Sequence, residues 1–179
     1  MVDAAKYPDL QAAFDALPDE GGIVDLPPGE FEIDRPLILS RENTRVQGAG
    51  AATHLINTNE NGEPCLIIRA KEYPEDDEAR IWRLQLADFR ISGNPESGDG
   101  VLAQGVNEIY IHGLAVDHNG GNGINLISCY EDPRISDSII TYNAKAGLNI
   151  HAGHDIVVNA NQFEENQDAV RCLDSFNVC

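Results

Sequence analysis

The sequence predicts an all-β fold, a single-stranded parallel β-helix with three short strands per coil and a short capping α-helix at its N-terminus. Three observations predict it. Asn94, Asn119, Asn143 and Asn166 recur every 23 to 25 residues, each three residues after an apolar residue (Ile91, Val116, Ile140, Phe163). Each is followed by a small residue and another apolar one: Gly100-Val101, Gly123-Ile124, Gly147-Leu148 and Ala169-Val170. A period in this range marks a stacked, one-dimensional architecture. Between the asparagines lie runs such as Glu108 to His112 and Asp155 to Asn159 that alternate apolar and polar, as half-buried strands do. Aligned on the asparagines, the apolar residues form three columns: Leu86/Ile111/Ile135/Val158, Ile91/Val116/Ile140/Phe163 and Val101/Ile124/Leu148/Val170. Three columns imply three strands per coil around a filled interior. An asparagine at one bend suits this, because it tolerates left-handed backbone and its amide can bond to the next coil.

The N-terminal elements follow in order. Pro8 to Leu17 places Leu10, Ala13, Phe14 and Leu17 on one face of a short helix, with Pro8 near its first turn. Next come Gly21-Gly22 and a strand ending in Leu26-Pro-Pro-Gly29. Then follow Pro36 to Leu39 and a strand ending in Gly48-Ala-Gly50. This order resembles the start of the pectin-lyase-like right-handed parallel β-helix superfamily of pectate lyases, polygalacturonases and polyuronate epimerases. The resemblance runs from about Tyr7 to Cys179. It implies a right-handed coil, a polysaccharide substrate, and secretion or a cell-surface location, although the start shows no signal peptide. Residues 1–22 are then the capping helix and lead-in, and 23–179 the β-helix.

At 179 residues the chain is long enough for one domain with a sizeable core. Thirty acidic against twelve basic residues give a net charge of −18, which opposes binding to nucleic acid or to an anionic membrane. An acidic polysaccharide then needs a local basic patch or calcium. Nine of the basic residues are arginine. Glu72 to Glu78 reads as a solvated loop between coils. Cys65, Cys129, Cys172 and Cys179 lack metal spacing, and Cys172 shares an inward column with Leu126 and Ile150, which predicts a buried free thiol. Val178 falls where a new first strand begins. The sequence therefore reads as the N-terminal piece of a longer protein, or as a chain whose open end is covered by a partner or further coils.

Chemistry is expected on the outer face of the first strand, where residues one coil apart become neighbours about 4.8 Å apart. One outward row is Arg83, Glu108, Asp132, Asp155; the next is Gln85, Tyr110, Arg134, Val157; the third is Ala87, His112, Ser136, Asn159. In enzymes of the resembled superfamily this face usually forms the substrate groove. Tyr110 or His112 could exchange a proton beside a sugar carboxylate, and Arg134 could neutralise that carboxylate. Arg83, Gln85, Ser136 and Asn159 complete the expected substrate contacts. Glu108, Asp132 and Asp155 are either calcium ligands or members of a solvent-facing ion-pair ladder. No organic cofactor is expected.

Other motifs point less far. His151-Ala-Gly-His154 reads as a surface bend, and Gly48 to Thr53 as a turn rather than a dinucleotide loop. Gln167-Asp168 lacks the second acid of an inverting hydrolase, and Asp132-Pro-Arg134 lacks the Asp-Pro-His-Glu signature of alginate epimerases. A polyuronate lyase or epimerase is the leading expectation. A glycoside hydrolase of the same fold and a non-catalytic carbohydrate-binding or structural module are the alternatives.

Overall fold

The computed structural model describes all 179 residues and shows a parallel β-helix of about seven turns. The three predicted columns are register-exact. Leu86, Ile111, Ile135 and Val158 pair in succession in the first strand position. Ile91, Val116, Ile140 and Phe163 do so in the second, and Val101, Ile124, Leu148 and Val170 in the third. The columns also extend upstream, through Val46 and Val24 to Val2 in the first position, Leu55 in the second and Leu66 in the third. Most of these side chains have no solvent exposure, so one stacked apolar core runs along the axis.

Helix α1 (Leu10–Asp15) is shorter than the sequence pattern suggested. Asp9, not Pro8, caps it, its carboxylate accepting from the Ala12 amide at 2.7 Å. Leu10, Ala13 and Phe14 face the core. Gln11 fastens the helix to the strand Leu37–Leu39. Its Nε2 donates to the Ile38 carbonyl at 3.0 Å, and its Oε1 accepts from the Ile38 amide at 2.8 Å. A side-chain amide thus takes the place of a neighbouring strand. Before the helix, Val2–Asp3 already pairs with Gly22–Asp25 in the first sheet.

The asparagine ladder is real, with two departures. Asn119 Nδ2 donates to Asn143 Oδ1 at 2.8 Å, and Asn143 Nδ2 donates to Asn166 Oδ1 at 2.9 Å. Asn94 turns away and donates instead to the carbonyls of Asn57 and Asn59, leaving Asn119 Oδ1 buried without a partner. Nor do these asparagines take the left-handed backbone: that falls one position earlier, on His118, Tyr142 and Glu165. The amide serves the bond between coils, and its predecessor makes the bend. The small residue after each asparagine is a packing demand. A Cβ on Gly123 would stand 2.7 Å from the Gly147 carbonyl oxygen and 2.7 Å from Ile140 Cγ2.

Other corners obey the same rule. Gly21, Asn43, Arg83, Glu108 and Asp132 have positive φ and stand one or two residues ahead of a first-position strand; Asp155 and Asn177 take the same bend inside the strands His154–Asn159 and Phe176–Val178. Gly48 to Thr53 is not a simple turn. It lies inside the long strand Thr44–Asn57, at a double register shift that makes a corner without breaking the chain of pairs. The acidic stretch from Glu72 forms exposed turns, as expected.

Cys172 does pair with Ile150, as the column required, yet it is exposed, because it lies in the last coil with no strand stacked beyond it. Phe176, Leu173 and Val170 are exposed for the same reason. Cys65 and Cys129 are buried free thiols whose pKa burial pushes up to about 12, which keeps them protonated and inert.

Asn143 is the middle rung of the ladder, and Asn143→Ala removes the acceptor of the buried Asn119 backbone N–H and leaves Asn119 Nδ2 only the Asp117 carbonyl. The expected loss is about 2–3 kcal/mol in urea unfolding, against a smaller loss for Asn166→Ala at the partly open end. Equal losses would show that the ladder carries no cooperative load.

Candidate functional site

The first-sheet outer face assembles as the sequence rows required. Tyr110 pairs with Gln85 on one side and Arg134 on the other; His112 pairs with Ala87 and Ser136; Ser136 pairs with Asn159. The structure adds an order of hydrogen bonds. Arg45 Nη1 donates to Gln85 Oε1 at 3.1 Å. Arginine is always a donor, so this bond fixes the Gln85 amide with its Nε2 toward His112 Nε2, at 2.9 Å. His112 must accept there, which makes it the neutral Nδ1–H tautomer with its Nε2 lone pair already engaged. Its ring stacks on Tyr110, centroids 4.4 Å apart. The Gln85 bond thus occupies His112 Nε2, and the imidazole lies flat against the Tyr110 ring.

A second chain of bonds leaves Tyr110 on the other side. Ser136 Oγ donates to Asp137 Oδ2 at 2.8 Å, so its lone pairs are free to accept from the Tyr110 hydroxyl at 3.3 Å. Arg134 is exposed beside Tyr110 and its guanidinium has no carboxylate partner. Arg83 stands at a corner rather than in the groove, where its Nε donates to Asn43 Oδ1 at 2.6 Å. Asn159 is exposed at the far end of the His112–Ser136 row.

Glu108, Asp132 and Asp155 occupy the left-handed corner column. No group of three or more His, Cys, Asp or Glu side chains converges on a shared metal position. Asp155 spends its oxygens on Asn177 Nδ2 at 2.8 Å and His154 Nδ1 at 2.8 Å, bonds that lower its pKa. His154 stacks between Tyr130 and Phe176, a structural use of the His151–His154 bend.

A second polar cluster lies on the outer face of the second strand position. Glu30, His54, Arg90 and Ala115 share one row there, and Ile56, Ser92, Asp117 and Thr141 the next. Arg90 grips the nearly buried Asp117 with two bonds of 2.9 Å, and His118 Nδ1 meets Asp117 Oδ1 at 2.7 Å. Burial is the strongest influence on Asp117 and acts to raise its pKa. The bonds from Arg90 and His118 together outweigh it, so the net shift is downward. His54 Nε2 lies 2.7 Å from Ser92 Oγ. Burial, then the Arg90 charge, lower the His54 pKa against the opposing pull of Asp117 and Glu30.

A family model described as "Right handed beta helix region" matches residues 78–178. The chain belongs to the right-handed β-helix family. Among solved structures it is similar to ORF18 of Geobacillus virus E2, with a TM-score of 0.87 and 19% identity, over 98% of this chain and 39% of that one. It is also similar to the A-module of the Azotobacter vinelandii mannuronan C-5 epimerase AlgE6, with a TM-score of 0.56 and 17% identity, over 99% of this chain and 56% of that one. No curated protein matches the sequence. At these identities the likenesses show the fold alone, and the chain spans less than two thirds of either protein.

Within this right-handed β-helix the sequence rows missed Arg45, Asp137 and the whole second-position cluster. Arg45 and His54 sit upstream of the long insertion between Arg69 and Ile81, where the 23-to-25-residue period breaks. Asp137 was legible as the neighbour of Ser136 but lies at a left-handed bend outside the alternating rows.

The lowered Asp117 pKa has a stability consequence. Its contribution is fully present above the ordinary carboxylate value of 3.8 and is lost as pH falls through the lower folded value. Asp117→Asn is expected to cost about 1–2 kcal/mol at neutral pH, with the gap to the parent protein closing in strongly acidic buffer. A gap that stays constant with pH would mean that the charge is not what matters.

Proposed function

We propose that this β-helix binds an acidic polysaccharide along the first-sheet face and removes the proton beside a sugar carboxylate, by β-elimination or C5 epimerisation. The observation that carries this reading is the unpaired Arg134 next to Tyr110. In a chain of net charge −18 an arginine without a carboxylate partner is an open position for an external one. Carbanion chemistry needs that position, because negative charge grows on the substrate carboxylate as the proton leaves. The likeness to a module of a mannuronan C-5 epimerase supports a polyuronate as the substrate class.

Tyr110 takes the role of proton carrier in this scheme. As its hydroxyl proton passes to Ser136 Oγ, Ser136 passes its own to Asp137, leaving a phenolate to accept the sugar proton. His112, held by Gln85 and Arg45, keeps the Tyr110 ring in line by stacking. Elimination and epimerisation share this first step. They differ in whether the leaving group departs or a proton returns from the other face.

Nuclear magnetic resonance in heavy water, on polymannuronate, polyguluronate and polygalacturonate, reads the shared step as exchange of the C5 proton. Absorbance of unsaturated uronate separates elimination from epimerisation. Tyr110→Phe and Arg134→Ala are each expected to slow exchange by about 100-fold or more while the protein stays folded. Wild-type exchange in both variants, or none in the parent protein on any of the three polymers, would remove the reading.

A further inference from the structure

The Ser92–His54 pair is absorbed neither by the fold nor by the first-sheet groove. Ser92 ends the second-position strand of its coil, and His54 lies one coil earlier, two residues out of register, so the imidazole reaches diagonally across the face. With His54 as the Nδ1–H tautomer, Nε2 accepts the Ser92 hydroxyl proton at 2.7 Å. Burial and the Arg90 charge favour the neutral imidazole, the form that a general base needs at neutral pH.

Three charged groups stand around the pair. Glu30 is in register with His54 on the side away from Arg90, where a carboxylate favours an imidazolium once it forms. Arg90 follows His54 in register and precedes Ser92 by two residues on the same outward face. It spends Nε and Nη2 on Asp117, so it is held in place while Nη1 remains free to donate. Asp117 is in register with Ser92, but its oxygens are taken by Arg90 and His118. The set therefore contains a hydroxyl nucleophile, a neutral base and a positioned cationic donor, with the Glu30 carboxylate in register with the base but not bonded to it.

We propose that Ser92 is the nucleophile of a second catalytic site that hydrolyses small acyl esters of sugar hydroxyls. Ser92 Oγ forms a bond to the ester carbonyl carbon while His54 Nε2 takes the hydroxyl proton. The Arg90 guanidinium faces the oxyanion of the tetrahedral intermediate. The carbon–oxygen bond to the sugar breaks, and His54 gives its proton to the departing alkoxide. Water then attacks the acyl-Ser92 ester with His54 again as base. The proton returns to Ser92 Oγ as the carboxylic acid leaves. Nothing in this step depends on Tyr110 or Arg134, so it stands or falls apart from the polyuronate reading.

The test is covalent labelling of the whole chain with a fluorophosphonate, followed by peptide mass mapping, alongside hydrolysis of p-nitrophenyl acetate. Labelling is expected on Ser92 in the unmodified protein, which needs no variant to read. Ser92→Ala and His54→Ala should each lower ester hydrolysis by about 1000-fold or to the buffer rate, with unfolding midpoints showing that both variants fold. His54→Ala should also abolish labelling of an intact Ser92. Absence of label, label on a different serine, or full hydrolysis by folded Ser92→Ala would each overturn the proposal.

Discussion

Everything in this molecule depends on register between successive coils. A parallel coil stacked on its neighbour can bury its apolar side chains only if each lands over its counterpart, and a slip of one residue would turn every inward side chain outward. The corners hold the register. Gly21, Asn43, Arg83, Glu108, Asp132, Asp155 and Asn177 repeat one left-handed bend at one place along the axis, and only the first is glycine. Left-handed backbone costs an ordinary residue about 1–2 kcal/mol, so these bends persist because the stack around them leaves no alternative. Local propensity is overruled by the neighbours.

The same constraint explains where polar side chains are satisfied. Backbone groups bond along the axis from coil to coil, and so do the amides of Asn119, Asn143 and Asn166. Where a coil differs in length the pattern fails locally. Asn94 sits at a corner longer than those that follow it and bonds to Asn57 and Asn59 of the coil before, and the oxygen of Asn119 is left alone. Gln11 solves the opposite problem at the helix end, by presenting one amide to both backbone groups of Ile38.

The interior was legible in the sequence from Leu86 onward because the coils there have nearly equal length, and equal spacing turns a linear string into columns. Upstream, the register shifts between Gln47 and His54 and the insertion between Arg69 and Ile81 hide the continuity of Val24, Val46 and Leu86. The outward row was legible for the same reason as the core, since Gln85, Tyr110 and Arg134 alternate with the column residues. What alternation cannot express is a bond that runs diagonally. Arg90 to Asp117 and His54 to Ser92 each combine a shift of one coil with a shift of two residues, and neither partner marks the other in the sequence. The direction of the Gln85 amide, and with it the tautomer of His112, likewise needs Arg45 in place.

The outward rows have a property that the inward columns lack. An inward substitution is felt by the coil on each side, whereas an outward side chain stands over a position whose backbone is already fixed. The exterior is therefore a coordinate grid, with steps of about 4.8 Å along the axis and about 6.6 Å between alternate residues of a strand. A functional group can be moved by one square, or a new one written beside it, without rewriting the scaffold beneath. Two unrelated sets of polar side chains, around Tyr110 and around Ser92, occupy separate strand positions of that grid and share only its ruling.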